Sequence, residues 1–232
     1  MQFTTTKMAY IAGTTAALPF VIVVIPFAML FGVVATEAGL PLTQVMAFSA
    51  LVVAGASQFT ALQFMSENAP VAVVLASALA VNLRMAMYSA SLTPHLGKAP
   101  GWQRVLAAYF TVDQSYLLSH TEFERAPETS TPHKVAYFFG TVTPIVPLWY
   151  VFTYIGAVIG DAIPAEYGLD FIVPITFLAM IVPALRTLAH LAAALTSIIL
   201  ALLLVAVPFN LGLLIAAIAA MMVGAEIERR MS

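Results

Sequence analysis

Between Thr187 and Ala225 the chain runs 39 residues without an aspartate, glutamate, lysine or arginine. Three other stretches share this property: Met8–Thr36, Ala38–Ser66 and Val135–Gly160. One crossing of a bilayer's hydrocarbon core needs about 20 largely apolar residues. Each stretch is therefore long enough to cross, and the longest is long enough to cross twice. Charged residues make up only 9% of the chain, against roughly 25% in a soluble domain. The runs are apolar on every face, whereas a membrane barrel shows segments of about ten residues that alternate in polarity. The sequence specifies an all-α polytopic membrane protein.

Eight hydrophobic segments can be placed, at about 14–36, 42–65, 70–94, 103–121, 135–158, 171–189, 191–207 and 210–226. One re-entrant segment would make it seven spans. The last turn falls at Val207–Gly212, where proline and glycine punctuate the run; the break near His190 is less sharply marked. Pro19 and Pro26, Pro144 and Pro147, Pro174 and Pro183 all lie within the predicted spans, where each frees a carbonyl and can kink or break its helix. With eight spans and an inner N-terminus, Lys7, Arg125, Lys134, Arg186, Arg229 and Arg230 collect inside, and Lys98 and Arg104 outside. Both termini are then expected in the cytoplasm. MQFTTTK lacks the pattern of a cleavable signal, so the first run is expected to remain as a helix.

A faint internal similarity links FGVVATEAGLPL around Gly32 with IGAVIGDAIPAEYGLDF around Gly156. Each is followed by a comparable helix, FSALVVAGASQF from Phe48 and FLAMIVPALRTL from Phe177. Repeat halves would run from about 14 to 121 and from 135 to 226, parallel with an even number of intervening spans and inverted with a re-entrant one. Two helices of similar apolar composition is an equal reading.

Composition also excludes function classes. There is no cysteine, so disulfides, thiolate catalysis and iron–sulfur clusters are out. A net charge of −2 with scattered basic residues offers no nucleic-acid footprint. His95, His120, His133 and His190 form no metal-binding spacing, and no P-loop is present. No cofactor, metal or enzymatic activity is expected.

Polar residues inside apolar runs carry the functional signal. In LASALAVNLRMAMYSASL, Asn82 and Arg84 sit mid-segment, where an isolated arginine costs roughly 2.5–3.5 kcal/mol on insertion scales. The next segment supplies Asp113 and Gln114. Arg84 lies fourteen residues before Lys98 and Asp113 fourteen after Ala99, so an antiparallel hairpin turning there would bring the two to one depth. Their pairing offsets much of the desolvation either suffers alone; a purely stabilising pair, or Arg84 snorkelling to the interface, is the plainer reading. Asp113 is the natural proton-coupling group. In AGASQF (Ala54–Phe59), successive small residues permit either close packing or a helix break, with Ser57 and Gln58 adding hydrogen bonds. Gly156-x-x-x-Gly160 reads as a helix-packing motif.

Taken together, AGASQF at 54–59, N-L-R-x3-Y-S-x-S-L-x-P at 82–94 and T-V-D-Q-x-Y at 111–116 resemble the AzlC family, the large subunits of bacterial branched-chain amino acid exporters. The similarity extends from about Leu18 to the C-terminus. It implies a multi-pass protein of the bacterial inner membrane that exports valine, leucine, isoleucine and in some cases methionine by secondary-active transport. It also implies a small AzlD-type membrane subunit of about one hundred residues as partner. The positions matching the family's motifs are Gly55, Ala56, Ser57, Gln58, Asn82, Arg84, Tyr88, Ser91, Asp113 and Tyr116, with Gln114 beside them. Two departures stand out: Met85 where the family often has histidine, and V-D-Q where it often has T-D-E. Export of another small amphipathic solute, or a scaffold role without transport, are the alternatives.

Overall fold

The computed structural model describes residues 3–162, 185, 187–207 and 211–231, and among these every regular element is helical. They fall into two compact units, Met1–Thr60 with Ala78–Ile163, and Ala61–Ser77 with Pro164–Ser232. Residues up to 162 form α1 (Thr6–Glu37), α2 (Leu42–Leu51), α3 (Gly55–Ser66), α4 (Val71–Leu96), α5 (Gly101–Tyr109), α6 (Asp113–Arg125), α7 (Thr131–Val142) and α8 (Val146–Ala162). Then follow α9 (Leu188–Leu203) and α10 (Leu211–Met231).

The frame of the first unit is α1 packed along α7 and α8. Glycines let these backbones touch. A methyl group at Gly13 or Gly140 would collide with the carbonyls of Tyr137 or Tyr10, and one at Gly32 or Gly156 with those of Thr153 or Met29. Tyr10 pairs with Thr143 at 2.6 Å, and Thr14 donates to the Gly140 carbonyl at 3.2 Å. Early residues of α1 thus meet early residues of α7, and late ones meet α8, so the two run parallel. Gly156 and Gly160 both lie against α1, as the packing motif anticipates. Pro19 and Pro26 leave α1 one continuous helix. Pro144 lies in the interruption between α7 and α8 at residues 143–145, and Pro147 lies in the first turn of α8.

Two predicted spans are each divided into two short helices. At 1.5 Å per residue, α2, α3, α5 and α6 are each roughly 13–20 Å long, about half a hydrocarbon core of some 30 Å. Phe31 of α1 meets Phe48 of α2 and also Phe59 of α3, with centroids 5.8 and 5.6 Å apart. Gly55, further back along the chain, lies against Phe27. Moving along α1 therefore runs backward along α2 but forward along α3, so the chain reverses at residues 52–54. The same happens at 110–112. Ser89 and Thr93 of α4, with Gly97 just after it, line one small cavity with Arg104 and Ala107 of α5 and Thr111 just after it, so α5 folds back along α4. On α6 the match to α4 is parallel: Arg84 with Asp113, Ser91 with Tyr116, His95 with Glu124. Segments 42–65 and 103–121 are re-entrant pairs of half-helices, α2–α3 entering from the Glu37 end of the unit and α5–α6 from the Leu96 end.

The antiparallel turn expected at Lys98–Ala99 joins α4 to α5, but Asp113 lies beyond the break on α6, parallel to α4, and the side expected for two charges is corrected. The ends of α1, α4, α5 and α7 gather Thr6, Lys98, Gln103 and Thr131 around one cavity of about 510 Å³. Lys98 and Arg104 thus share an end with Lys7, Arg125 and Lys134. Helices long and apolar enough to cross a membrane are, among the described residues, Thr6–Glu37, Val71–Leu96 and Thr131–Gly160. Most of the segment at 171–189, with Pro174, Pro183, Arg186 and most of the second copy of the suggested repeat, lies outside the described residues.

In the second unit α9 and α10 pack antiparallel, Gly212 against Leu204 and Gly224 against Ala193. The Thr187 side chain caps α9 by accepting from the His190 amide at 3.2 Å. α9 ends at Leu203 and α10 begins at Leu211; Pro208, Phe209 and Asn210 of the expected turn lie outside the described residues.

Two outcomes follow. The chain has no native cysteine, so Lys98→Cys and Glu128→Cys should react with a membrane-impermeant maleimide from one face, and Leu40→Cys from the other. A spanning α5–α6 would put Lys98→Cys and Glu128→Cys on opposite faces. Gly156→Ala should lower stability by about 1–3 kcal/mol through overpacking, read as a lower melting temperature in detergent. Gly101→Ala should be near neutral, since its added carbon would find only Arg104 Nη2 at 3.9 Å.

Candidate functional site

The two helix breaks interrupt the helical hydrogen-bond ladder, and the residues there explain both why the helices stop and how the backbone is satisfied. Val52 and Val53 precede Ala54 and Gly55, and Thr111 and Val112 precede Asp113. β-Branched residues lose side-chain freedom in a helix, and small ones add little to it. Val52 and Val112 are both out of helical geometry, with φ of −123°. The buried Ser115 hydroxyl accepts from the Val112 amide at 2.9 Å and lies within hydrogen-bonding distance of the Val112 and Phe110 carbonyls. The Tyr109 hydroxyl donates to the Ala50 carbonyl, tying the end of α5 to the end of α2, and lies 3.3 Å from the Tyr150 hydroxyl.

Gly55 has a packing reason: a side chain there would strike Phe27 and Trp149. These two rings, with Phe31, Phe48 and Phe59, form an aromatic bed beneath the α2–α3 tip.

Asp113 is the first residue of α6, where the partial positive charge of the helix N-terminus favours a carboxylate. Arg84 Nη2 stands 3.2 Å from its Oδ2, and the Tyr88 hydroxyl donates to its Oδ1 at 2.9 Å. The Tyr88 ring stacks on Tyr116 at 4.1 Å, and the Tyr116 hydroxyl donates to Ser91 at 3.3 Å. On the other half-helix, Ser57 donates to the Ala78 carbonyl at 3.0 Å, pinning the start of α3 one turn from Asn82. Gln58 is fully buried and its Nε2 reaches Ser49 at 3.3 Å. Three polar atoms here have no partner among the described residues: Gln58 Oε1, Asn82 Oδ1 and Arg84 Nε. The geometry thus brings Arg84, Asp113, Tyr88, Tyr116 and Ser91 into one seam and sets Ser57, Gln58, Gly55 and Asn82 around the α3 start. Gln114 is on α6 beside Asp113, half-buried.

The seam continues to a cluster that spacing alone does not reveal. His95 Nε2 is 3.2 Å from Glu124 Oε1, and its Nδ1 is 3.2 Å from the buried Lys134 ammonium. Lys134 also donates to the Pro127 carbonyl at 2.9 Å. His120 stacks on Tyr116, with centroids 5.3 Å apart. Side-chain ligand atoms of His95, His120 and Glu124 lie within 4.8 Å of one another. An ammonium cannot accept a proton, so His95 Nδ1 is the acceptor and Nε2 carries the hydrogen, which it gives to Glu124. That leaves His95 no lone pair for a metal. In hindsight the signal is one-faced periodicity: residues 84, 88, 91 and 95 on α4, and 113, 116, 120 and 124 on α6, recur every three or four residues. Two parallel helices zip such faces together.

Among known proteins, the family profile described as AzlC protein matches residues 19–163. No curated protein and no solved structure gives a significant match. The matched region holds both re-entrant pairs and every residue of the seam, and it covers more than half of the sequence. With its apolar helices and its polar site at two helix breaks, this chain is a membrane protein of a transporter-type family: it belongs to the AzlC family.

Proposed function

We propose that the chain is the large subunit of a secondary-active exporter of branched-chain amino acids, working with a small AzlD-type membrane subunit in the bacterial inner membrane. What carries the reading is the Arg84–Asp113 pair at the α6 break, flanked by polar atoms without partners among the described residues. A zwitterionic amino acid needs a cationic group for its carboxylate and acceptors for its ammonium. Arg84 supplies the first; Asn82 Oδ1, Gln58 Oε1 and Asp113 supply the second. The ends of half-helices add to both, as broken helices do in transporters. An aliphatic side chain suits the aromatic and aliphatic surroundings of the α2–α3 tip.

Arg84 and Asp113 are held together but not sealed, their side chains 33% and 43% exposed. An ion pair open to that extent contributes little stability, which fits a pair that opens and recloses. Protonation of Asp113 would free Arg84 for the substrate carboxylate, and its deprotonation would return Arg84. Lys7, Lys98, Arg104, Arg125 and Lys134 gather at one end of the first unit, which the positive-inside tendency assigns to the cytoplasm. The N-terminus lies with them.

The test is export of labelled leucine from cells preloaded with a leucine dipeptide, with and without the small subunit. Wild type should export. Arg84→Ala and Asp113→Asn should each cut the rate by about tenfold or more at equal membrane abundance, in keeping with the loss of a charge-assisted contact. Wild-type rates in both variants would remove the site. Failure with leucine but efflux of another amphipathic solute would reassign the substrate, and no efflux of any solute would leave a scaffold.

A further inference from the structure

The seam between α4 and α6 extends well beyond any substrate-sized site, and its far half has no part in binding as described. It begins at Asp113 and ends about two turns away at a cluster of two histidines, an exposed glutamate and a buried lysine. Between them lie only hydroxyls and stacked rings: Tyr88 on Asp113, Tyr116 on Tyr88, Ser91 bonded to Tyr116, and His120 on Tyr116. The outer faces of the same helices are ordinary lipid-facing residues such as Leu83, Met87 and Leu117. An aligned row of exchangeable protons through an apolar layer has a natural use.

We infer that this row is a proton wire joining the Glu124–His120–His95 cluster at the basic end of the unit to Asp113. The inference rests on the reading of Asp113 as the coupling carboxylate. Glu124, more than half exposed, is the port that takes a proton from water. His95 is held at both ring nitrogens, by Lys134 and Glu124, so it positions the port without turning over. His120 is the carrier: its buried Nδ1 has no partner among the described residues. It receives a proton on one ring nitrogen and releases one from the other. Separations within 4.8 Å are spanned by single bridging waters. Hydrogen bonds join Tyr116 to Ser91 and Tyr88 to Asp113 Oδ1; the steps from His120 to Tyr116 and from Ser91 to Tyr88 pass through bridging water, each hydroxyl accepting one proton and donating another. The balance is one proton removed from bulk water and one carboxylate converted to its acid. Arg84 loses its ion partner, and nothing is oxidised or reduced. The charged and titratable groups facing the wire are Arg84 and Lys134 as cations, Glu124 as anion, and His95, Tyr88 and Tyr116.

The test does not need a substrate. A pH jump applied to the purified protein in lipid, with its small subunit, is followed by time-resolved infrared difference spectroscopy. The protonated-carboxyl band lost in Asp113→Asn belongs to Asp113. Tyr116→Phe, which keeps the ring stack and removes one hydroxyl, and His120→Gln should slow the rise of that band by about tenfold or more, as loss of a proton-transfer group does. The final amplitude should be unchanged, which shows the site is intact. His133→Ala, off the seam, should leave the rate as in wild type. Unchanged rates in both seam variants, or no band lost in Asp113→Asn, would overturn the wire. If leucine is not the substrate, the infrared result is unaffected. If it is, His120→Gln, which lies outside the substrate-binding residues, should retain leucine counterflow while losing accumulation driven by a pH gradient.

Discussion

Backbone amides and carbonyls inside a bilayer have no water to turn to, and an unpaired one costs several kcal/mol on the order of a lost hydrogen bond in hydrocarbon. A chain that stops two helices at mid-depth must therefore supply partners from its own side chains. Here Ser115 serves the Val112 amide, Tyr109 serves the Ala50 carbonyl, and Ser57 ties α3 to α4 through Ala78. Much of the polar content of the first unit follows from these two breaks. The site is where the backbone is open, and the side chains that satisfy it are the ones a solute would meet.

The frame that holds the breaks is comparatively simple. Glycines on α1, α7 and α8 allow backbone contact along a parallel pair, which fixes one wall. The half-helix pairs then enter from opposite ends and are secured by the aromatic bed on one side and by α4 on the other. Both pairs are about the same length, with three-residue breaks; the first is followed by α4 and the second by the α7–α8 stretch, Thr131–Gly160, each of membrane length. That inverted arrangement is a common basis for transporters. It involves a different register from the similarity around Gly32 and Gly156, whose described portions simply pack α1 against α8.

The Arg84–Asp113 pair shows how far sequence reasoning reached. Counting from an assumed antiparallel turn put the two at one depth, and the structure places them 3.2 Å apart. The route was different: α6 runs parallel to α4, and Asp113 starts a half-helix instead of lying inside a span. Twelve residues separate Arg84 from the end of α4 and Asp113 from the end of α6, so either path gives the same depth. The count could not distinguish them. The error did matter for Lys98 and Arg104, which moved to the other face. It also hid the histidine cluster, because His95 meets His120 and Glu124 only when the two helices run the same way.

Hydrophobicity alone determined that the chain is helical and membrane-embedded, because apolar stretches of this length have no other stable form in lipid. The three motifs determined its family, and the rarity of charge singled out Arg84 and Asp113. Whether an apolar stretch of about 25 residues crosses or turns back was decided only by tertiary structure. Composition is the same in both cases. The difference lies in whether neighbouring helices present a hydroxyl, a carbonyl or a glycine surface at the depth where the backbone opens.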